Sequence, residues 1–96
     1  MFTHIVFFKL SNPTKDNLNK AEDILKSMEG KIPELKGLEV GIDVLKTERS
    51  FDIALVTRFI SREDYETYTV SDFHVNNVLK NLKPMLECSK TVDYFL

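Results

Sequence analysis

The chain has little of what builds disulfide-bonded, secreted or membrane-spanning proteins. Cys88 is the only cysteine among 96 residues, which excludes an internal disulfide and is typical of a reducing compartment. No apolar run approaches the length of a membrane span, and the amino-terminal MFTHIVFFKL is too short and too alternating for a signal peptide. We therefore expect a cytoplasmic protein with no membrane partner.

The sequence also lacks the usual patterns for binding nucleic acids, metals and phosphates. The 13 basic and 15 acidic residues are well mixed and give a net charge of −2, so no basic stripe is available for nucleic acid. The 2 histidines and 1 cysteine lack the spacing of a metal site. No carboxylate pair stands out, and no glycine-rich loop is present to hold a phosphate. The sequence therefore predicts no metal and no cofactor.

The composition is that of one small globular domain. Hydrophobic residues make up 43% of the chain and charged residues 29%, and no repeat, linker or low-complexity segment divides it. We therefore treat residues 1–96 as a single domain. A domain of this size buries only about 60 to 65% of the surface of its unfolded chain, which makes it a candidate for association.

Hydrophobic periodicity predicts alternating strands and helices. Segments rich in β-branched and aromatic residues predict strands, and apolar residues at spacings of three and four predict helices. The inward side of the first helix is marked by Leu18, Ala21, Leu25, Met28 and Ile32. In chain order, the predicted elements are a strand at 2–10, a helix that follows Pro13 and ends near Gly30, strands at 38–45 and 51–60, a short helix at 61–70, a longer helix from Ser71 to about Glu87, and a strand at 91–96.

Three single residues predict local features of these elements. Pro13 is suited to the first turn of the first helix, because a helix leaves the N–H at that position unpaired. Gly41 suggests a bulge, or a close approach of another segment, in the second strand. Pro84 predicts a distortion in the last turns of the final helix.

The element order predicts an α+β fold. Strand, helix, strand, strand, helix, strand is the ferredoxin-like βαββαβ arrangement, with a four-stranded antiparallel sheet covered by helices on one face. The other face keeps more apolar surface than a solvated sheet usually exposes. Its apolar residues are Ile5, Phe7, Ala54, Val56 and Ile60. We therefore expect two copies to stack sheet on sheet as a homodimer.

The strongest candidate for a functional site is YETYTVSDFHV, residues 65–75. Ser61 predicts a capped helix start before this segment, and Ser71 predicts a second one, with its hydroxyl accepting from the backbone N–H of His74. His74 would then lie at the positive end of the helix dipole, which favours a neutral ring that can accept a proton. Tyr68 precedes it by six residues, at the end of the short helix.

Antiparallel pairing of the first and third strands would bring His4 close to this segment. We expect His4, Tyr68 and His74 to meet at one pocket between the sheet and the helices, the usual form of a small-ligand site. A hydrogen bond from Tyr68 or His4 to His74, direct or through one water, would fix the tautomer of the ring. The predicted apolar walls of the pocket are Val6, Ala21, Leu25, Ile53 and Leu55.

A structural interpretation of the same residues stays open. His4 lies on the strand face of Val6 and Phe8, so it also fits a core histidine bonded to a backbone carbonyl or to Tyr68. His74 also fits a first-turn histidine exposed to water.

Four segments resemble a known family. THIVFFKL, GIDV, FISREDYETYTVSDFHV and VDYF are similar, in order and spacing, to the stress-responsive dimeric α/β barrel (Dabb) family over nearly the whole chain. The resemblance implies a ferredoxin-like protomer whose sheet closes a barrel with a twofold mate. In polyketide cyclases of this type, a first-strand histidine and a Y-x5-H pair line the pocket, which implies catalytic roles for His4, Tyr68 and His74. A neutral imidazole would abstract a proton, and the phenol would stabilise the developing enolate.

Three functions are consistent with the sequence. The first is binding of a small apolar or aromatic molecule, with or without acid–base chemistry of the cyclase kind. The second is a non-catalytic dimeric stress-response protein in which the polar cluster only orders the interior. The third and most remote is a cofactor-independent monooxygenase, which rests on fold analogy alone.

Overall fold

The computed structural model describes all residues 1–96 and forms a four-stranded antiparallel sheet in the order β2-β3-β1-β4, with helices on one face. This confirms the ferredoxin-like fold. The elements in chain order are β1 (Phe2–Leu10), α1 (Lys15–Lys26), β2 (Gly37–Ile42), β3 (Ile53–Phe59), α2 (Arg62–Val70), a helical segment α3 (73–85) and β4 (Leu86–Phe95). No helix is long and apolar enough to cross a membrane.

β1 lies at the centre of the sheet and pairs with β3 on one side and β4 on the other. Its register places Phe2 opposite Phe59 and Phe8 opposite Ile53. Because opposite residues share a face, the alternate apolar residues of both strands point toward the helices. The buried helix-facing residues of the two strands are Phe2, His4, Val6, Phe8, Leu10, Ile53, Leu55, Thr57 and Phe59.

Helix α1 covers this face with the apolar side that its spacing predicts. Leu18, Ala21 and Leu25 are buried on α1, and Met28 and Ile32 are buried in the turns that follow it. Their burial provides the hydrophobic driving force that holds the helix on the sheet.

The ends of α1 differ from the prediction. Thr14 is the N-cap and accepts from the backbone N–H of Asn17 at 3.2 Å, so Pro13 lies outside the helix rather than in its first turn. At the other end, α1 stops at Lys26, and the chain turns through Gly30, whose φ of 73° is in the left-handed region. Glycine has no Cβ to oppose that conformation, so the apolar spacing continues to Ile32 while the helix does not.

Strands β2 and β4 also differ from their predicted bounds. β2 ends at Ile42, because the carboxylate of Asp43 accepts the backbone N–H of Lys46 and closes a turn. Gly41 pairs in register with Ala54 and has open space beside it, so the predicted bulge or close approach is absent. β4 begins at Leu86 rather than at residue 91, directly after the last helical turn.

The final helical segment is not a regular α-helix. It consists of a π-helix over Phe73–Leu79, one α-helical turn over Lys80–Leu82 and a 3₁₀ turn over Lys83–Met85. Pro84 lies in the 3₁₀ turn, which confirms the predicted distortion, and the segment ends at Met85 rather than near Glu87. The apolar spacing does not distinguish the wider π turns from α turns.

The sheet face opposite the helices is uncovered; we call it the open face. Phe7 is 43% exposed and Val92, on β4, is 55% exposed, while Ile5 and Val56 between them are half-buried. Ile60 lies one residue beyond the end of β3 and is 65% exposed. The predicted apolar surface is therefore present on the single protomer.

Removal of the N-cap of α2 should destabilise the fold. The Ser61 hydroxyl accepts from the backbone N–H of Asp64 at 3.1 Å, so Ser61→Ala should lower the free energy of unfolding by about 0.5 to 2 kcal/mol. Urea unfolding would measure the loss. Ser11→Ala is the matched control, because the Ser11 side chain is exposed and makes no hydrogen bond. Equal midpoints for the two variants would contradict the capping role.

Candidate functional site

Three separate elements meet at a cavity of about 180 Å³ between the sheet and the helices. β1 contributes His4, the end of α2 contributes Tyr68, and the first turn of α3 contributes His74. Ser89 on β4 is a further polar residue at the cavity. The apolar wall is formed by Val6, Phe8, Leu25, Leu55, Val78, Leu79 and Leu82.

The structure brings together most, but not all, of the residues predicted for this pocket. Val6, Leu25 and Leu55 line the cavity together with the two histidines and Tyr68. Ala21 and Ile53 are buried in the core but do not line the cavity. Ile53 lies at the start of β3 between Phe8 and Ile42, which places it toward the far end of the strand from His4.

His74 is held in a defined orientation. Its Nδ1 donates to the backbone carbonyl of Thr69 at 3.0 Å, which leaves Nε2 as the proton acceptor when the ring is neutral. No protein group bonds to that Nε2, and the ring stacks on Tyr68 with 4.4 Å between centroids. The backbone N–H of His74 lies 3.4 Å from the Ser71 hydroxyl, so the predicted cap contact is present and long.

The surroundings of the His74 ring favour its neutral form. Burial lowers the pKa of His74, the hydrogen bond to Thr69 raises it in part, and electrostatic interactions with His4 and Lys83 lower it further. The predicted direction is therefore right. The main cause is removal from water, which disfavours the charged form, rather than the helix dipole.

His4 has a carboxylate partner that the sequence reading missed. Its Nδ1 is hydrogen-bonded to Oδ1 of Asp93, the residue directly opposite it on β4. The Tyr65 ring lies 4.8 Å from the His4 ring between centroids. Burial, and then the negative charges of Asp93 and Glu66, raise the pKa of Tyr65. A carboxylate on Nδ1 fixes the tautomer of His4 and leaves its Nε2 available.

Tyr68 contributes its ring rather than its hydroxyl. The side chain is buried, and its hydroxyl donates to Sδ of Met28 at 3.6 Å. Burial, and then Tyr65, raise the pKa of Tyr68, so the phenol stays protonated. No direct hydrogen bond joins Tyr68 or His4 to His74, and the direct form of that prediction is wrong.

Two imidazole rings with similar hydrogen bonding therefore line one apolar cavity. In each ring Nδ1 is bonded within the chain and Nε2 has no protein partner. Such nitrogens can accept a proton from a bound molecule or, when protonated, donate one. No group of three or more His, Cys, Asp or Glu residues is placed to hold a metal ion.

Comparisons with known proteins agree on the family and the fold. The stress responsive A/B barrel domain (Dabb) model matches residues 2–96. No curated protein matches the chain. A dimeric ferredoxin-like protein of unknown function from Bacteroides fragilis is 26% identical, with a TM-score of 0.84 over 99% of this chain and 95% of that one.

Two further solved structures are similar. A dimeric ferredoxin-like protein of unknown function from Thermobifida fusca is 25% identical, with a TM-score of 0.86 over 99% of this chain and 90% of that one. A hydroxynitrile lyase from Passiflora edulis is 20% identical, with a TM-score of 0.83 over 99% of this chain and 92% of that one. At that identity the lyase shows the fold alone.

The lowered pKa of His74 should make stability depend on pH. Below about pH 6.5 the unfolded chain protonates this histidine, while the folded protein resists protonation. The free energy of unfolding should therefore fall as the pH drops below that value, and this contribution should level off below the folded pKa. Urea unfolding between about pH 7.5 and 5 would measure the slope.

His74→Asn is the informative variant, because its amide can still donate to the Thr69 carbonyl. Its stability should fall less steeply than that of the wild type over the same pH range. His4→Asn controls for the other histidine, because its amide can likewise still donate to Asp93. Identical slopes in the wild type and His74→Asn would show that the His74 pKa is not lowered by folding.

Proposed function

The chain belongs to the stress-responsive α/β barrel domain family, and we propose that it binds a small apolar or aromatic molecule in the cavity between sheet and helices. The observation that carries the proposal is a cavity of about 180 Å³ with an apolar wall, at which His4 and His74 each keep one ring nitrogen without a protein partner. Ligand sites typically combine an apolar lining with a few placed polar groups.

The size of the cavity limits the ligand. An engineered apolar cavity of about 150 Å³ accepts benzene, so the present cavity matches one aromatic ring or a short acyl chain. A molecule of several fused rings would need more room than the apolar walls leave. We therefore expect a single-ring ligand, smaller than the polyketides of the cyclase type.

The proposed chemistry is proton transfer by His74. A neutral imidazole with Nδ1 held by Thr69 and a free Nε2 meets the requirements of a general base. His4, oriented by Asp93, would donate from its own Nε2 to an oxygen of the ligand when its ring carries a proton on both nitrogens. The π-helix that carries His74 supports this assignment, because π-helical turns occur frequently at functional sites.

The proposed assembly is a homodimer through the open face. Ile5, Phe7, Val56 and Val92 give this face an apolar centre that water would otherwise contact. The similar proteins from Bacteroides fragilis and Thermobifida fusca are dimeric, which supports the same assembly here.

The second candidate is a non-catalytic dimeric stress-response protein. The observation in its favour is that His4, Tyr68 and His74 each have a partner within the chain. In that case the cluster would order the interior, and its removal would lower stability rather than binding.

Binding and proton transfer can be tested separately with a one-ring ketone. Acetophenone should shift the NMR signals of residues around the cavity, and the two-ring acetonaphthone should not. Bound acetophenone should exchange its acidic methyl protons for deuterium faster than in buffer. His74→Gln should reduce that exchange about a hundredfold while binding persists, because the general base is lost. Tyr68→Phe should preserve exchange, since its hydroxyl bonds to Met28.

Leu79→Phe should block binding by filling the cavity. Val75→Phe is its matched control, because Val75 lies on the same helical segment, is 40% exposed and does not line the cavity. Binding without exchange would contradict the proton transfer and leave the proposed ligand binding in place. Failure of every one-ring probe to bind would contradict the proposal itself.

The homodimer is tested by light scattering at micromolar concentration. Val56→Lys should shift the protein toward the monomer, because it leaves an unpaired charge in a desolvated interface. Val44→Lys controls for the added charge at a loop residue that is 85% exposed. A wild-type protein that stays monomeric would exclude the assembly.

A further inference from the structure

The open face has two side chains of opposite charge next to each other, Glu39 on β2 and Arg58 on β3. Glu39 lies opposite Val56 and Arg58 lies opposite Gly37, so the two are diagonal neighbours on the same face. Cα atoms at diagonal positions are about 7 to 8 Å apart. None of the ion pairs within the chain includes either residue.

Arg58 is held against the sheet by the absence of a side chain at Gly37. A Cβ at position 37 would lie 3.2 Å from Cβ, 3.5 Å from Cγ and 3.6 Å from Cδ of Arg58. The stem of Arg58 therefore lies over the glycine, and the side chain is half-buried even in the single protomer. This placement packs the stem of Arg58 on the sheet and leaves its charged end available to an anionic group.

Thr3, on the other side of Arg58, adds an unpaired polar group to the same region. It lies opposite Arg58 on β1, is fully buried, and its hydroxyl has no hydrogen-bond partner. This hydroxyl is already out of contact with water in the single protomer, so a covering surface changes only the surroundings of the guanidinium. A purely apolar cover would leave that charge without a partner, which is costly, whereas a carboxylate on the covering surface would pair with it.

We infer that the carboxylate is Glu39 of the partner subunit, and that Arg58 and Glu39 form two reciprocal ion pairs across the interface. This inference rests on the homodimer proposed above. In a twofold interface both copies use the same patch. Arg58 of one copy can therefore pair with Glu39 of the partner subunit, and Glu39 with Arg58 of the partner subunit. The guanidinium and the carboxylate match in a bidentate geometry that fixes the register of the two sheets.

Other charged groups near the open face are less suited to the role. The carboxylate of Asp43 already accepts the backbone N–H of Lys46 at 2.7 Å. Lys90, on the edge strand β4, is exposed and can keep its ammonium group in water. Arg58 lies on an inner strand, where the two sheets would exclude water.

Charge reversal tests the pairing. Arg58→Glu places a second carboxylate opposite Glu39 of the partner subunit, and Glu39→Arg places two guanidinium groups together, so each variant should dimerise about tenfold more weakly or worse. A mixture of the two variants restores both opposite-charge contacts. It should form a heterodimer in preference to either homodimer, which native mass spectrometry would resolve. Lys20→Glu and Glu48→Arg are controls with comparable charge changes at exposed positions off the open face.

The outcomes separate this inference from the proposed assembly. A monomeric wild type would overturn both. A dimeric wild type with unchanged affinity in Arg58→Glu and Glu39→Arg would overturn the reciprocal pairs and leave the homodimer in place. If the two variants, once mixed, form homodimers and heterodimers in statistical proportions, the reciprocal pairs would also be overturned. Preferential heterodimers would support them, and would show that both variants are folded.

Discussion

The antiparallel pairing of β1 with β3 and β4 is the constraint on which the rest of the structure depends. One register places His4 opposite Thr57 on β3 and opposite Asp93 on β4. The Thr57 hydroxyl donates to the His4 carbonyl at 3.1 Å, so the backbone of this residue is fixed as well as its ring. Because side chains alternate between faces, a slip of one residue would move His4 to the open face.

The same alternation explains what the sequence could predict. The faces of β1 and β3, and the apolar side of α1, follow from residue spacing alone. The partner of His4 does not, because pairing His4 with Asp93 requires the register between strands that are almost the whole chain apart. Likewise, Ala21 and Ile53 are inward residues whose distance from the cavity depends on how helices and sheet pack. The ends of α1 and β2 depended on turns at Gly30 and Asp43, which periodicity does not locate.

The two faces of the sheet differ in how their polar groups are paired, although only one layer of backbone separates them. The helix side pairs its polar groups, His4 with Asp93 and His74 with Thr69, and has a small cavity lined by both histidines. The open side leaves Arg58 and Thr3 without partners in the protomer. A substitution on one face can therefore alter association while the opposite face keeps its geometry, since neighbouring residues in a strand point in opposite directions.

The π-helix gives the chain between Tyr68 and Leu82 room for one residue more than a regular α-helix with the same number of turns. Each π turn encloses one residue more than an α turn, and seven consecutive residues, Phe73–Leu79, adopt it. Deletion of one residue there would let the segment wind as a standard α-helix. Residues at i, i+3 and i+7 share one face of such a helix, so His74, Val78 and Leu82 would still lie on the inward side after a deletion between His74 and Val78. In evolutionary terms, a one-residue gap within this helix would mark relatives that carry the same residues on a regular α-helix.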